Sequence, residues 1–580
     1  GRGRGDGALC GAVGLGGLVR WFGDLQRHFG WRLLVLIFVL LHLMNGFVRN
    51  LVGAAGMLPY LFRSYSMPAP LVLVFNSVLD SIWVMAPVIA LATDVLPIGG
   101  FNKTPYVIVA AALGTFACMA IFLLPGLSSQ GELVCLALVQ LMQVTAMVCC
   151  NGTYVKRVQG RERHAADLQT FVSFGIEAGA LLGNVAVGAV VERLGPRSAW
   201  GIAALPAALV LGVSASGFFE ESRVTEEELT TTRRGFWQHR EVGALAMVLF
   251  ASTLLTNSLT IGYGSLGANV VAYLVGFVFV LFCFAAVLSP RIAQVSVYSM
   301  LYQSAMLNVD GAMFYFYTDE MSAYAEGPHL SSYFYNGIRG PLFCAFALVG
   351  IYTYNRYMKE WTYRRVIVFG NLSYALVQVS TLIIVSRMNL RLGIPDSVFV
   401  LVHAALRSMT QQWTKMPFRV LFMFLCPPGM EATMYALLKG SSDLGNSVSD
   451  SLGGALLAAL GCRPSGIDGE SESFRHLPLA LVVSGLTGLL VVTLFLPLVP
   501  DAEPNRLLVG DDACDATSGS LWSTWLGEAA SKHGGSSDPR LSGCASGMGA
   551  MGAAAAVLER GQLHGYDSMG ARQTGGKEMD

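Results

Sequence analysis

The chain has 580 residues, 53% of them hydrophobic and 13% charged, and a formal net charge of zero. Soluble domains carry about 25% charged residues, so this balance argues against a soluble protein and for one that crosses a membrane many times. A neutral chain also lacks the basic excess that a nucleic-acid partner would need.

In chain order, residues 1–31 are rich in Gly and Arg and read as a cytoplasmic tail. The apolar run after them reads as a true span rather than a cleaved signal peptide. A spanning helix needs roughly 20 apolar residues. Candidate spans are 32–48, 71–92, 105–125, 133–150, 168–190, 198–217, 242–261, 266–288, 294–317, 331–354, 366–386, 397–425, 432–460 and 478–499. They total about fourteen and make an all-α polytopic membrane protein. They group into an N-terminal bundle over 32–217, a charged cytoplasmic linker over 218–241, two extra spans over 242–288 and a C-terminal bundle over 294–499. Thr225 and Glu228 in the linker have capping-box spacing and predict a short surface helix. Residues 500–580 are rich in Gly, Ser and Ala without sustained periodicity, the composition of a disordered cytoplasmic tail.

Basic residues set the expected orientation, because cytoplasmic loops collect Lys and Arg. With the N-terminus inside, Lys103, Lys156, Arg157, Arg161, Arg163, Arg223, Arg233, Arg234, Arg291, Arg364 and Arg365 fall inside, while Arg193, Arg197, Arg387 and Arg391 fall on the outer side as exceptions. The acidic loops with Asp319, Glu320 and Glu326, and with Asp468, Glu470 and Glu472, fall outside. Both termini are then cytoplasmic.

Ionisable residues within spans are costly and mark function. In 397–425, His403, Arg407, Gln411, Thr414 and Phe418 recur on one helical face, with Lys415 and Arg419 beside it. Pro417 is expected to kink this helix. In 432–460, Lys439, Asp443, Asn446 and Asp450 repeat likewise, and Lys439 and Asp443 are placed to pair as i,i+4 neighbours. Ser173, Glu177 and Asn184 share a face, as do Gln303, Asp310, Phe314 and Tyr317. His42, Asn45, Arg49 and Asp80 complete the set. Lipid does not solvate such stripes, so they must face each other or a watery path, which is the pattern of a transporter. Single Asn, Ser or Gln residues of this kind also serve plain helix–helix hydrogen bonding. The eleven cysteines lack the spacing of a disulfide framework or zinc site. No metal, cofactor or enzyme constellation is expected: there is no H-E-x-x-H and no Walker loop.

The stretch Leu91–Tyr106, "LATDVLPIGGFNKTPY", resembles the acid–Pro–Gly–basic–Pro–Tyr loop between spans two and three of the folate–biopterin transporters, a branch of the major facilitator superfamily. "FYFYTDE", "YNRYMKEWTYRRV", "SRMNLRLGIPD", "KMPFRVLFMFLCPPGMEATMYALL" and "LPLVPDA" follow in the family's order, and the wording is most similar to kinetoplastid members. The resemblance covers roughly residues 32–505. Trp83 and Pro87 fit the family's Trp-x-x-Lys-Pro, with Ala86 in the Lys position; Met147 and Asn151 stand where relatives carry acids. The resemblance implies a two-bundle major facilitator fold with two extra spans. It also implies import of folate, biopterin or a related pteridine with protons; a monomer in the plasma membrane is the expected setting, with an organellar membrane as the alternative. An alternative cargo is S-adenosylmethionine, which the acidic Asp310, Asp443 and Asp450 would suit; a non-transporting receptor that uses the tail is the different-class rival.

Folate's carboxylates would suit Arg407, Lys415 and Arg419. Gln411 and Asn184 would face the pterin's hydrogen-bonding edge, and Phe314, Tyr317 and Trp413 its flat ring. Asp310, Glu177 and Asp80 are the expected proton carriers. Asp94, Gly99 and Lys103 are expected to form a conformational latch at the turn between spans two and three.

Overall fold

A computed structural model describes residues 15–158, 165–426 and 431–501 apart from 55, 239, 264 and 359, together with 517, 520 and 521. Residues 1–14, most of 500–580, the basic residues Arg161 and Arg163, and Pro427–Met430 of the family-like run lie outside the described residues.

Helices dominate, as the lipid requires: a backbone in hydrocarbon must satisfy its own hydrogen bonds. Surface helix α1 is Leu15–Phe29. It is followed by α2 (Trp31–Val52), short α3 (Leu58–Ser64), α4 (Ala69–Val95), α5 (Thr104–Leu123), α6 (Ser129–Val158), α7 (Ala165–Leu194) and α8 (Ser198–Ala215). The linker helix α9 is Glu226–Gln238. Its capping box forms as the spacing predicts: Thr225 N donates to Glu228 Oε2 at 3.1 Å, and Glu228 N to Thr225 Oγ1 at 3.3 Å. Then come α10 (Arg240–Tyr263), α11 (Leu266–Val287), α12 (Pro290–Ala305), α13 (Asp310–Thr318), α14 (Tyr333–Met358), α15 (Tyr363–Val385), α16 (Asp396–Phe424), α17 (Glu431–Ala459) and α18 (Leu477–Phe495).

Eleven helical segments among the described residues are long and apolar enough to cross a membrane. The three other expected spans are also helical, but α12 and α13 are two pieces, and α16 and α17 carry the charged faces. The least apolar helices are thus the ones that hold the candidate site. Two groups form, with α2, α5, α6, α7 and α8 packing in one and α12, α14, α15, α16, α17 and α18 in the other. The groups meet where α4 lies on α17 and α7 on α14.

The extra hairpin α10–α11 is tied in by buried polar groups rather than by apolar contact alone. The Tyr273 hydroxyl lies 2.9 Å from Ser77 O and 3.0 Å from Asn257 Oδ1, which Ser81 Oγ also reaches at 2.9 Å. Asn269 Nδ2 donates to Thr260 Oγ1 at 2.9 Å, and Ser451 donates to Asn269 Oδ1. One hairpin therefore holds α4 and α17 together. Its outer face, with Val271, Val275, Val278 and Phe282, is exposed and suits lipid.

α2 and α7 cross on bare backbone. A Cβ on Gly179 would stand 2.4 Å from His42 O, and one on Gly46 2.7 Å from Ile176 O. Small residues permit such crossings in membranes. Gly179→Val should therefore cost about 1–3 kcal/mol by overpacking and lower the thermal midpoint of detergent-solubilised protein. Gly485, in open space on α18, is the control: Gly485→Val should leave the midpoint unchanged.

Candidate functional site

The site is built where a helix comes apart. α12 ends at Ala305 and α13 begins at Asp310, whereas the apolar pattern predicts one continuous span over 294–317. Neither Pro nor Gly occurs in 306–310; neighbouring hydroxyls make the break possible. Ser449 of α17 donates to Met306 O, Ser484 of α18 to Leu307 O at 2.5 Å, and Thr487 to Ala305 O at 2.9 Å. Asn308 fills the gap, accepting from Asp310 N at 2.8 Å and donating to Asp450 Oδ1 at 2.6 Å. Broken helices of this kind line binding sites in transporters, where loose backbone is tolerated beside a cavity.

At the start of α13, Arg407 Nη2 lies 3.0 and 2.8 Å from the two carboxylate oxygens of Asp310. Arg407 also hydrogen-bonds Tyr374, and Arg339 stands within electrostatic reach of Asp310. The side chains stay 23% and 52% exposed, so the pair is only partly buried. His403, on the same helix face, is instead committed to packing, 3.0 Å from Thr381 Oγ1 and 3.2 Å from Val377 O.

A second charged group lies deeper along α4. Asp80 is eleven residues beyond Ala69, about 16 Å along the helix at 1.5 Å per residue. Arg49 of α2 is within electrostatic reach of Asp80 and Asp443, and its guanidinium sits 4.0 Å from the centre of the Trp83 ring. Lys439 pairs with Asp443 as the i,i+4 spacing predicts. Lys415 lies near Arg419, Lys439, Arg407 and Asp443, and Asp450 interacts with Asp80 and Asp310 and so links the two groups. Glu177 of α7 faces Arg419 of α16 across the two halves. The structure therefore brings together Arg407, Asp310, Asp80, Lys415, Arg419, Lys439, Asp443 and Glu177. Gln411 is half-buried on the same helix.

Three expected ligands sit elsewhere, and a fourth, Tyr317, is buried within electrostatic reach of Arg407 and Asp310. Trp413 turns into the packing of α14, α15 and α16, donating to Thr353 Oγ1 at 2.9 Å and lying 5.6 Å from the Phe369 ring. Six residues from Arg407, it points about 240° around the helix, away from the charged face. Phe314 is buried against Tyr60, Tyr315 and Tyr335, and Tyr317 against Phe316 and Tyr335. Asn184 is buried in the α7–α14 crossing, 3.8 Å from Cys344 Sγ. Sequence periodicity missed Asn308, Tyr374 and Arg339; only their tertiary placement shows them.

At the turn before α5, Gly99 and Gly100 adopt φ of +63° and +83°, values that favour glycine. Asp94 is exposed and lies within electrostatic reach of Lys103 and Lys156. The direct clamp is Glu221, from the linker. Its carboxylate accepts from Lys103 N at 2.9 Å, Thr104 N at 3.0 Å and Thr104 Oγ1 at 2.8 Å, a negative charge on the positive end of α5.

The opposite end, carrying loops 53–68, 319–332 and 461–476, is closed by bonds between the halves. Arg63 donates to Thr318 O at 2.9 Å and pairs with Asp319 at 3.2 Å. The Tyr60 hydroxyl donates to Asn336 Oδ1 at 2.7 Å, and the Tyr315 hydroxyl to Met67 O at 2.7 Å. Ala69 N bonds Pro464 O at 2.9 Å, and Tyr333 N bonds Glu192 Oε1 at 3.1 Å. Gly311, beside Asp310, lies against Ala69 O, so the Asp310–Arg407 pair sits just beneath this seal.

The BT1 family model matches residues 45–510. The chain belongs to the BT1 family. A protein of Arabidopsis thaliana named "Probable folate-biopterin transporter 6" is 28% identical over 431 residues, covering 74% of this chain and 75% of its own. The "Folate-biopterin transporter" of a Synechocystis species is 24% identical, over 73% of each chain. Among solved structures, a POT peptide transporter with sulfate aligns at a TM-score of 0.57 with 14% identity, over 80% of this chain and 93% of that one. A D-xylose–proton symporter aligns at 0.52 with 13% identity, over 83% and 100%. The fold of this BT1-family member is that of the major facilitator transporters, and the chain is a multi-pass membrane transporter, not an enzyme.

Glu221→Ala removes three bonds from one helix end and should cost the folded protein about 1–3 kcal/mol, read as a lower thermal midpoint in detergent. Asp94→Ala, at an exposed carboxylate without such bonds, should leave the midpoint within about 0.5 kcal/mol of the parent.

Proposed function

We propose that this protein is a secondary active transporter that imports folate, biopterin or a related pteridine with protons, by alternating access. The observation that carries the reading is the broken segment α12–α13: it sets Asp310 and Arg407 together, partly exposed, beneath one closed end, in a chain whose BT1-family relatives are named for folate and biopterin. Arg407, with Lys415 and Arg419 along the same helix, would meet the carboxylates of folate; an arginine fork suits a carboxylate in two-point geometry. The pterin would take hydrogen bonds from the polar lining that includes Gln411 and Asn308. Substrate carboxylate replaces Asp310 as the partner of Arg407, which frees Asp310 to take a proton; Glu177 and Asp80 are the further proton carriers.

Rocking of bundle 32–217 against bundle 294–499 would expose the site to either side. With the N-terminus cytoplasmic, the closed end is the outer one and the structure is inward-facing. The protein works as a monomer in the plasma membrane, with Asp94, Gly99 and Lys103 holding the inner helix ends in the opposite state. One specific observation favours a second reading: Asp443, Asp80, Asp450 and Asp310 form a series, each within electrostatic reach of the next, and so many carboxylates suit a cation such as the S-adenosylmethionine sulfonium.

Uptake of labelled folate, biopterin and S-adenosylmethionine by a deficient host separates these readings. Folate uptake that exceeds control cells and rises with external acidity is the expected result; S-adenosylmethionine uptake alone would move the assignment to the second reading. Arg407→Ala should lower folate uptake about tenfold to a hundredfold at equal surface expression. That estimate is discounted for partial exposure from the roughly 2–5 kcal/mol of a buried charged contact. Biopterin lacks the glutamate carboxylates, so its uptake should fall less.

A further inference from the structure

Asp319 stands apart from the cavity carboxylates and has no role in the transport scheme above. It lies just past the end of α13 at the closed seam, and its side chain is 1% exposed. Neither carboxylate oxygen has a hydrogen-bond donor. Arg63, across the seam from the N-terminal half, is its ion-pair partner at 3.2 Å. That arginine is shared: another of its nitrogens is spent on Thr318 O. The remaining neighbours add negative charge more than they relieve it. Glu470 from the loop after α17 and Glu320 from its own loop lie within electrostatic reach, as do Arg63 and His329. Tyr315 of α13 is also close. Glu470 is locked in place, accepting from Ser465 N at 2.7 Å and Gly466 N at 2.9 Å, and its own main chain bonds Ala323 O at 2.9 Å. His329 Nδ1 meets the Asp319 main-chain oxygen at 2.8 Å and leaves the carboxylate alone.

We infer that Asp319 is a proton-binding site at the seam, and that binding one proton there favours closure of this end of the transporter. The charge count gives the reason. When the seam shuts, one guanidinium must serve a buried carboxylate that accepts no hydrogen bond, with Glu470 fixed nearby. A neutral Asp319 removes the excess negative charge; an ionised one must be rehydrated, which opening the seam achieves. Burial pushes the Asp319 carboxyl up to about 7 against the pull of Arg63, with Glu470 and Glu320 adding to the rise. In the open seam the group regains water and its ordinary value near 3.9. The sign follows: the closed form holds one proton more than the open form between about pH 4 and pH 7. The closed-to-open ratio therefore falls as pH rises through that window, by at most tenfold per pH unit, and levels off above about 7. The site acts on the gate, not on the cargo, and it rests on the alternating-access reading only in supposing that the seam opens.

The test is a distance measurement on the full chain in nanodiscs without substrate. Spin labels go on Ser64→Cys and Met321→Cys, both exposed residues on opposite sides of the seam, in a background without other accessible cysteines. The long-distance population should grow several-fold between about pH 5 and pH 7 and then level off. Asp319→Asn, which fixes the neutral state, should hold the short distance at every pH. Glu470→Gln removes one of the repelling charges and should move the transition to lower pH. A pH-independent distribution in the parent overturns the inference, as does an undiminished pH response in Asp319→Asn. If Asp319→Asn does not fold, an unshifted transition in Glu470→Gln overturns it. No pterin enters the experiment, so the gate and the cargo assignment can fail separately.

Discussion

Everything in this molecule depends on one requirement: a charge or a free carbonyl inside hydrocarbon must find a partner within the protein. The break between α12 and α13 meets it with three hydroxyls from α17 and α18. Asp310 meets it with Arg407, and Arg49 with the Trp83 face and the carboxylates of α4 and α17. Because the partners come from different helices, each solution also fixes how those helices sit. The polar interior is thus a structural frame, and in the transport scheme proposed above it is also the chemistry that a cargo would meet.

In the proposed scheme, partner exchange would tie these pairs to transport. An arginine–carboxylate pair that is partly exposed can be opened by another carboxylate at modest cost, whereas a buried carboxylate gives up its partner at much greater cost. Asp310 and Arg407 are of the first kind; Asp319 is of the second, buried at the end of the same short helix. α13 is nine residues long and carries the cavity pair at one end and the seam at the other, so a displacement of this helix is felt at both.

Much of the fold was legible because membrane helices announce themselves by long apolar runs, and the expected spans fall on helices except that 294–317 is split into α12 and α13. The charged stripes of α16 and α17 were legible for the same reason: periodicity 3.6 in a greasy background stands out. The capping box of α9 was readable since it involves residues three apart. What escaped the sequence was tertiary. The α12–α13 break carries no Pro or Gly and depends on Ser449, Ser484 and Thr487, far away in the chain. Trp413 was assigned by residue type, yet its position around the helix aims it at Thr353. Glu221 looked like one more charge in a polar linker until its carboxylate met the α5 N-terminus.

The hairpin α10–α11 carries a consequence for how the halves can move. It is bonded to Ser77 and Ser81 on one half and to Ser451 on the other, so separating these two lines of the molecule would break buried polar bonds. Motion is left to the far side, where α7 meets α14. The hairpin works as the spine of a book: the pages part at one edge because they are bound at the other, and a transporter bound in this way should swing asymmetrically.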